Sequence, residues 1–140
     1  MAAALRIEVH KLLSEEQRAA IIAPLATYSR GHGFPFGPNE VGVVLIDGGN
    51  IAGGLIGSTN WQWLYIEVLA VAEPIRRRGW GRALVERAEA VAIERGCQGA
   101  WVDTFTFQSP GFYQRLGYEQ FGELPNYPPG HRRLFLRKRL

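Results

Sequence analysis

The stretch from Trp61 to Arg95 leaves this chain few ways to fold. Trp61 to Val71 is apolar almost throughout, and Glu67 is its one formal charge. A strand of that character has both faces covered, which places it in the middle of a sheet. A short basic turn follows, Arg76-Arg77-Arg78-Gly79-Trp80-Gly81-Arg82. Residues 79–95 then read as a helix, with Trp80, Leu84, Ala88 and Val91 on one stripe, Glu86 and Glu89 well off it and Ile93 opposite. A strand that feeds a helix in this way needs a second, parallel strand beside the first. Ala100 to Phe107 is predicted to supply it.

The remaining segments fit around that unit. Leu5, Ile7 and Val9 alternate with Arg6, Glu8 and His10, the period of a strand. Ser14-Glu15-Glu16-Gln17 has the spacing of a capping box, and the helix it opens is expected to break or kink at Pro24. Gly31 to Pro38 is a loop. Val41–Ile46 and Ile51–Ile56 flank Asp47-Gly48-Gly49-Asn50, the composition of a tight hairpin. A short helix is predicted over Pro110–Leu116, stopping at Gly117. Tyr118–Gly122 and Arg132–Arg139 close the chain as strands on either side of the Pro-rich stretch 125–129. The order β-αα-β-β-β-α-β-α-β-β describes an α/β chain with a mixed central sheet, built as a single domain over 1–140.

Composition narrows the class. With 140 residues, 46% hydrophobic and 21% charged, the chain is long enough for one core and ordinary in its polarity. No apolar run approaches the length of a membrane span. Met1-Ala2-Ala3-Ala4-Leu5-Arg6 lacks the pattern of a signal peptide, and a single cysteine, Cys97, excludes an internal disulfide. A cytoplasmic protein is expected. The net charge is only +3, but arginines gather at 76–78 and basic residues again at 132–139. Leu134, Phe135 and Leu136 read as core, so the second cluster is a strand flank rather than a nucleic-acid surface.

The first cluster lies where a strand enters a helix. Successive backbone N–H groups at a helix start make an anion site, glycines let a phosphate come close, and arginines match its charge. The competing reading is a solvated turn that the glycines merely shape. A P-loop is excluded because no Gly-Lys-Ser/Thr follows, and the dinucleotide fingerprint because its third glycine is absent.

Arg76-x-x-Gly79-x-Gly81 after the Leu69-x-Val71 strand resembles the acyl-CoA-binding signature of the GNAT superfamily of N-acetyltransferases. Phe112-Tyr113-Gln114-Arg115-Leu116-Gly117-Tyr118 is similar to that family's second motif, Phe-Tyr-x-x-x-Gly-Phe/Tyr, and the element order matches over nearly the whole chain. The resemblance implies a sheet whose middle strands splay apart, with the pantetheine arm of acetyl-CoA paired to main-chain atoms of Leu69, Ala70 and Val71. It implies a pyrophosphate resting on Arg76, Arg77, Arg78, Gly79, Trp80, Gly81 and Arg82. Where the family often has Asn before the Phe-Tyr motif, this chain has Thr106-Phe107-Gln108-Ser109, and Gln108 or Ser109 stands in for it.

Acetyl transfer from a thioester to an amine needs a neutral amine, help for an oxyanion and a proton for the thiolate. The resemblance makes Tyr113 the general acid, against a tyrosine that only packs on the donor. Glu67 is the candidate base, since a carboxylate in an apolar strand is costly to bury unless paired or functional. A salt bridge or a substrate contact is the alternative. Diamine-type members of the family carry Glu at this offset, whereas histone-type members have it two residues earlier, at Tyr65 here. Asp103 is a weaker candidate for holding an amine cation. His10, His32, His131 and Cys97 lack metal-ligand spacing, so no metal is assigned. Cys97 reads as packing, and no Gly-x-Ser-x-Gly elbow is present.

The implied activity is N-acetyl transfer from acetyl-CoA to a primary amine of a small molecule or peptide, directly in a ternary complex. Helix 14–30, the loop 31–40, Trp61 and Trp63 would line the acceptor pocket. The alternative is a non-catalytic acyl-CoA-binding module on the same fold. The acceptor and the oligomeric state, a homodimer included, are left open.

Overall fold

The computed structural model describes residues 4–140. Met1-Ala2-Ala3, part of the segment read above for a signal peptide, lies outside the described residues. The chain divides into two compact units, one ending at Gly37 and one running Pro38–Leu140.

In the first unit the alternation at Leu5, Ile7 and Val9 does not become a strand. All three side chains are almost fully exposed. A strand exists by pairing its backbone with another, and among the described residues 4–10 have no such pairing; Glu8 makes side-chain contacts with Arg6 (2.8 Å) and His10 (3.1 Å). Helix α1, Glu15–Gly31, opens on the predicted capping box, with Gln17 N donating to Ser14 Oγ and Ser14 N to Gln17 Oε1. It runs unbroken through Pro24. Proline forfeits one intrahelical hydrogen bond, and the capped first turns and the residues beyond carry the helix past it.

The second unit holds a six-stranded sheet among the described residues: β1 Asn39–Asp47, β2 Asn50–Asn60, β3 Trp63–Val71, β4 Gly99–Phe105, β5 Glu119–Pro125 and β6 Arg132–Arg139. Their order is β1-β2-β3-β4-β6-β5, and only β3 and β4 run parallel. The apolar strand is therefore central, as its composition requires. Trp61 and Gln62 fall outside it, in a turn where both take left-handed backbone. Helix α2, Trp80–Glu94, packs across β1, β2 and β3, and a short helix α3, Pro110–Arg115, follows β4.

The core forms where α2 meets the sheet. Leu84, Val85, Ala88 and Ala92 close on Leu55, Leu64, Ile66, Ala100, Val102 and Leu136, all buried. Each of the larger side chains contributes about 1.5–3 kcal/mol on burial. The buried face of α2 is rotated from the predicted stripe: Trp80 is exposed at the helix start, and Glu89 is buried. Glu89 is tolerated there because Tyr118 Oη donates to its Oε2 at 2.7 Å and Lys138 Nζ to its Oε1 at 3.1 Å. Ile93 points away, as expected. Among the described residues no helix is long and apolar enough to cross a membrane.

Two irregularities in β3 position the site. The register against β2 slips so that Ile56 opposes Val68 and Gly57 opposes Ile66, which leaves Glu67 as the extra residue of a β-bulge. A Cβ on Gly57 would collide with the Tyr65 carbonyl oxygen, so the strands can only approach this closely beside glycine. The bulge reverses parity: Leu64 and Ile66 face the core before it, Leu69 and Val71 after it. On the other side, β3 pairs with β4 only from Trp63↔Gly99 to Ile66↔Val102. The two middle strands part at Glu67 and Asp103.

Candidate functional site

The parting of β3 and β4 frees one edge of β3. Ala72 N bonds Ala52 O on the β2 side, and backbone groups alternate along a strand, so Leu69 and Val71 present theirs to the gap. A cleft of about 450 Å³ fills it, lined by Glu67, Leu69, Ala70, Val71, Asp103 and Thr104 from the strands, and by Gln108, Ser109, Phe112 and Tyr113 beyond. An open main-chain edge of this kind can take an extended ligand with amide groups of its own.

A second cleft of about 730 Å³ shares Leu69, Val71, Arg76, Ser109 and Phe112 with the first, and continues over Arg77, Gly79, Trp80, Gly81 and Arg82. The turn is built to present donors. Arg77 takes φ 65° and Gly79 φ 85°, conformations in which successive N–H groups converge. Gly79 caps α2 without a side-chain hydrogen bond, and the first turn contains no acid. The N–H groups of Trp80, Gly81 and Arg82 thus have no partner within the helix, and the helix dipole adds positive potential there. A Cβ on Gly81 would lie 3.3 Å from the Phe112 ring, so α2 and α3 approach each other across this glycine. Arg76 Nε donates to Val71 O at 2.8 Å. Arg78 is exposed and lines neither cleft.

Sequence reasoning missed Arg115, which lines the turn cleft from α3. It lies three residues after Phe112, the spacing that puts both on one helix face. Gln108 Oε1 accepts from Thr104 Oγ1 (2.9 Å) and Phe105 N (3.2 Å), which straps the loop to the end of β4. Ser109 borders both clefts.

Tyr113 is buried, its ring edge-on to Phe112 at 5.0 Å and to Tyr118 at 5.8 Å. Among the described residues no buried side-chain polar atom lacks a partner, yet its hydroxyl makes no hydrogen bond. That hydroxyl therefore opens into the cleft. Burial, and secondarily the negative charge of Asp103, pushes its pKa up to about 12. The phenol is firmly neutral at pH 7.

Glu67 lines the same cleft but is exposed, not buried, because the bulge turns it out of the core. It makes no hydrogen bond or ion pair among the described residues. Asp103 is already occupied: Arg133 donates to its Oδ1 from Nε (3.1 Å) and Nη2 (2.7 Å), and Tyr65 Oη to its Oδ2 at 2.9 Å. Its carboxylate already accepts three hydrogen bonds within the protein, which leaves Glu67 the freer acid of the two. Cys97 is buried in the core, where desolvation raises its thiol pKa, which fits packing and not nucleophilic attack. Among the described residues no group of His, Cys, Asp and Glu has the geometry of a metal site.

Residues 7–118 match the family described as acetyltransferase (GNAT) family. Over 83 residues the chain is 51% identical to a blasticidin-S acetyltransferase of Streptomyces morookaense, a match covering 59% of this chain and 61% of that protein. The crystal structure of an acetyltransferase from Bacillus cereus superposes with a TM-score of 0.84 at 30% identity, covering 95% of this chain and 98% of that one. An aminoglycoside 6'-N-acetyltransferase complexed with coenzyme A shares the fold at 20% identity and a TM-score of 0.64, over 73% of each chain. The splayed sheet, the glycine–arginine turn and the family match lead to one assignment: this chain belongs to the GNAT family of acetyltransferase enzymes.

Proposed function

We propose that this protein transfers an acetyl group from acetyl-CoA directly to a primary amine of a small molecule, with 1–140 acting as one domain in the cytoplasm. The observation that carries the reading is the continuity of two clefts. One runs along the free edge of β3, where a neutral phenol opens; the other runs over the uncapped start of α2. The N–H groups of residues 80–82, with Arg76, Arg77, Arg82 and Arg115, suit a pyrophosphate, while Leu69 and Val71 suit the amides of a pantetheine arm. The relative named for blasticidin S supports a small-molecule acceptor over a peptide.

In the proposed reaction the amine nitrogen attacks the thioester carbonyl, and its C–N bond forms as the C–S bond breaks. Glu67, exposed at the bulge, takes the proton that leaves nitrogen, directly or through water. Tyr113 gives its proton to the departing sulfur. With a pKa of about 12 the phenol is a weaker acid than a thiol at about 8.5. Its transfer to a free thiolate is therefore uphill and occurs in step with C–S cleavage. The proton that Glu67 took from nitrogen then returns to the phenolate through solvent, so the turnover ends with amide, free thiol and both groups restored.

The test is release of free thiol from acetyl-CoA across polyamines, aminoglycosides, amino acids, arylamines, peptides and blasticidin S. Amine-dependent release with at least one acceptor, and an acetylated product by mass, is the expected result. Saturable acetyl-CoA binding without release for any amine would instead make this a non-catalytic binding module.

A further inference from the structure

The sheet carries a second recess beside the transfer cleft. It has a volume of about 320 Å³ and is lined chiefly by Ser58 and Asn60 of β2, Trp63 and Tyr65 of β3, and Trp101 of β4. The register explains why these side chains meet. Ser58 opposes Tyr65, Asn60 opposes Trp63, and Tyr65 stands beside Trp101, so all five project from one face. Trp63 stands beside Gly99, and a Cβ there would lie 2.6 Å from the indole ring; the ring lies over bare backbone. Tyr65 and Trp101 stack with centroids 4.2 Å apart and planes 21° from parallel.

Tyr65 joins this recess to the chemistry. Its hydroxyl bonds Asp103, which lines the transfer cleft, and Glu67 lies two positions further along the chain, at the bulge. The charges nearby do not cancel. Asp103 is neutralised by Arg133, and Arg137, which opposes Trp101, pairs with Glu119 at 3.5 Å, whereas Glu67 is unpaired among the described residues. Aromatic faces with uncompensated negative charge favour a cation, and flat rings with a hydroxyl and an amide at their rim favour one that is planar and rich in N–H groups.

We propose that this recess binds a guanidinium or amidinium group at the far end of the acceptor, whose primary amine then reaches the cleft between Glu67 and Tyr113. The proposal rests on the acetyltransferase reading above and names its substrate class. Planar cations stack on indole and phenol faces, and Ser58 and Asn60 accept from their N–H groups.

The experiment compares three primary amines as acceptors: agmatine, with a guanidinium; tryptamine, flat but with no second cation; and n-pentylamine, with neither. Agmatine should exceed n-pentylamine in kcat/KM by roughly 3- to 30-fold, the range of one desolvated cation–aromatic contact. Trp63→Leu and Trp101→Leu should collapse that ratio toward one. Methylguanidine, which has no amine of this kind to acetylate, should inhibit competitively with agmatine and not with acetyl-CoA, a readout that needs no variant to fold. Equal kcat/KM for agmatine and n-pentylamine, or a preference for tryptamine alone, overturns the guanidinium assignment while leaving acetyl transfer intact. Failure of every amine to release thiol overturns the transferase reading itself.

Discussion

Arg76 turns back on the strand it follows and donates from Nε to the carbonyl oxygen of Val71 at 2.8 Å. That carbonyl belongs to the open edge of β3, and Arg76 borders both clefts. One side chain therefore fixes the angle between the strand edge and the phosphate-type turn. Removing a hydrogen bond to a charged donor costs about 1.5–3 kcal/mol. Arg76→Ala should weaken acetyl-CoA binding at least about tenfold by calorimetry, and Arg76→Lys should recover only part, because an ammonium lacks the planar fork. Unchanged affinity in both variants would mean that neither the bond to Val71 nor the charge of Arg76 matters to the donor site.

Tyr113→Phe should leave acetyl-CoA affinity nearly intact and lower kcat by about 10²–10⁴-fold, the usual loss of a positioned acid. The raised pKa adds a stability signature. A phenol at about 12 when folded and about 10 when unfolded contributes stability that is complete below pH 10 and lost as pH rises through 12. The variant should lose less stability between pH 9 and pH 11.5, by roughly 2 kcal/mol. Chemical denaturation at pH 9 and pH 11.5 measures it, and parallel losses in both proteins would contradict the shift.

Glu67→Gln keeps the size and removes the charge at the bulge. The variant should be slowest relative to the parent at low pH, where little acceptor amine is neutral, and should recover as the amine deprotonates. The pH–rate profile with one identified acceptor decides this. Curves of the same shape would assign Glu67 to holding acceptor charge rather than taking its proton.

Gly57→Ala tests the bulge from the opposite strand. Its Cβ would meet the Tyr65 carbonyl, so the β2–β3 spacing must open. The expected cost is about 1–3 kcal/mol, the scale of overpacking. Turnover should fall further than that cost explains, because Glu67, Leu69 and Val71 all depend on the bulge for their facing. Thermal midpoint and kcat/KM, taken where both proteins are folded, separate the two effects.

The central strand, the hairpin and the glycine–arginine turn were legible because each has a local cause: an unbroken apolar run, a turn composition, a basic helix entry. The bulge was not. It arises from how closely Gly57 lets two strands approach, and nothing at Glu67 announces it. Its place in an apolar strand predicts a carboxylate held at some cost of burial, while a structural slip of one residue puts it in the open. Asp103 looked available for the same reason, since its partner Arg133 lies 30 positions away. Glu89 read as a surface acid, whereas the fold brings Tyr118, just ahead of β5, and Lys138 of β6 to it. Leu5, Ile7 and Val9 show the opposite error, an alternation without a strand to pair with.

Glu89→Gln follows from that buried group. The amide keeps an acceptor for Tyr118 but leaves Lys138, a partly buried ammonium, without its counter-charge. Stability should fall by about 1–3 kcal/mol, with little change in acetyl-CoA affinity. Urea unfolding measures it. A neutral result would mean that Lys138 finds water as readily as it finds Glu89.

Helix α2 begins on a left-handed glycine with no side-chain cap and no acid in its first turn. A helix is seldom left so unfinished. On the proposed reading the donor's pyrophosphate completes it, so the helix borrows its terminus from a molecule that departs at every turnover. The resting enzyme is then a slightly incomplete protein, and its first helical turn should exchange amide hydrogens faster when empty than when loaded. The same uncapped terminus makes the donor a folding ligand: at 100 times its dissociation constant it adds about 2.7 kcal/mol to stability.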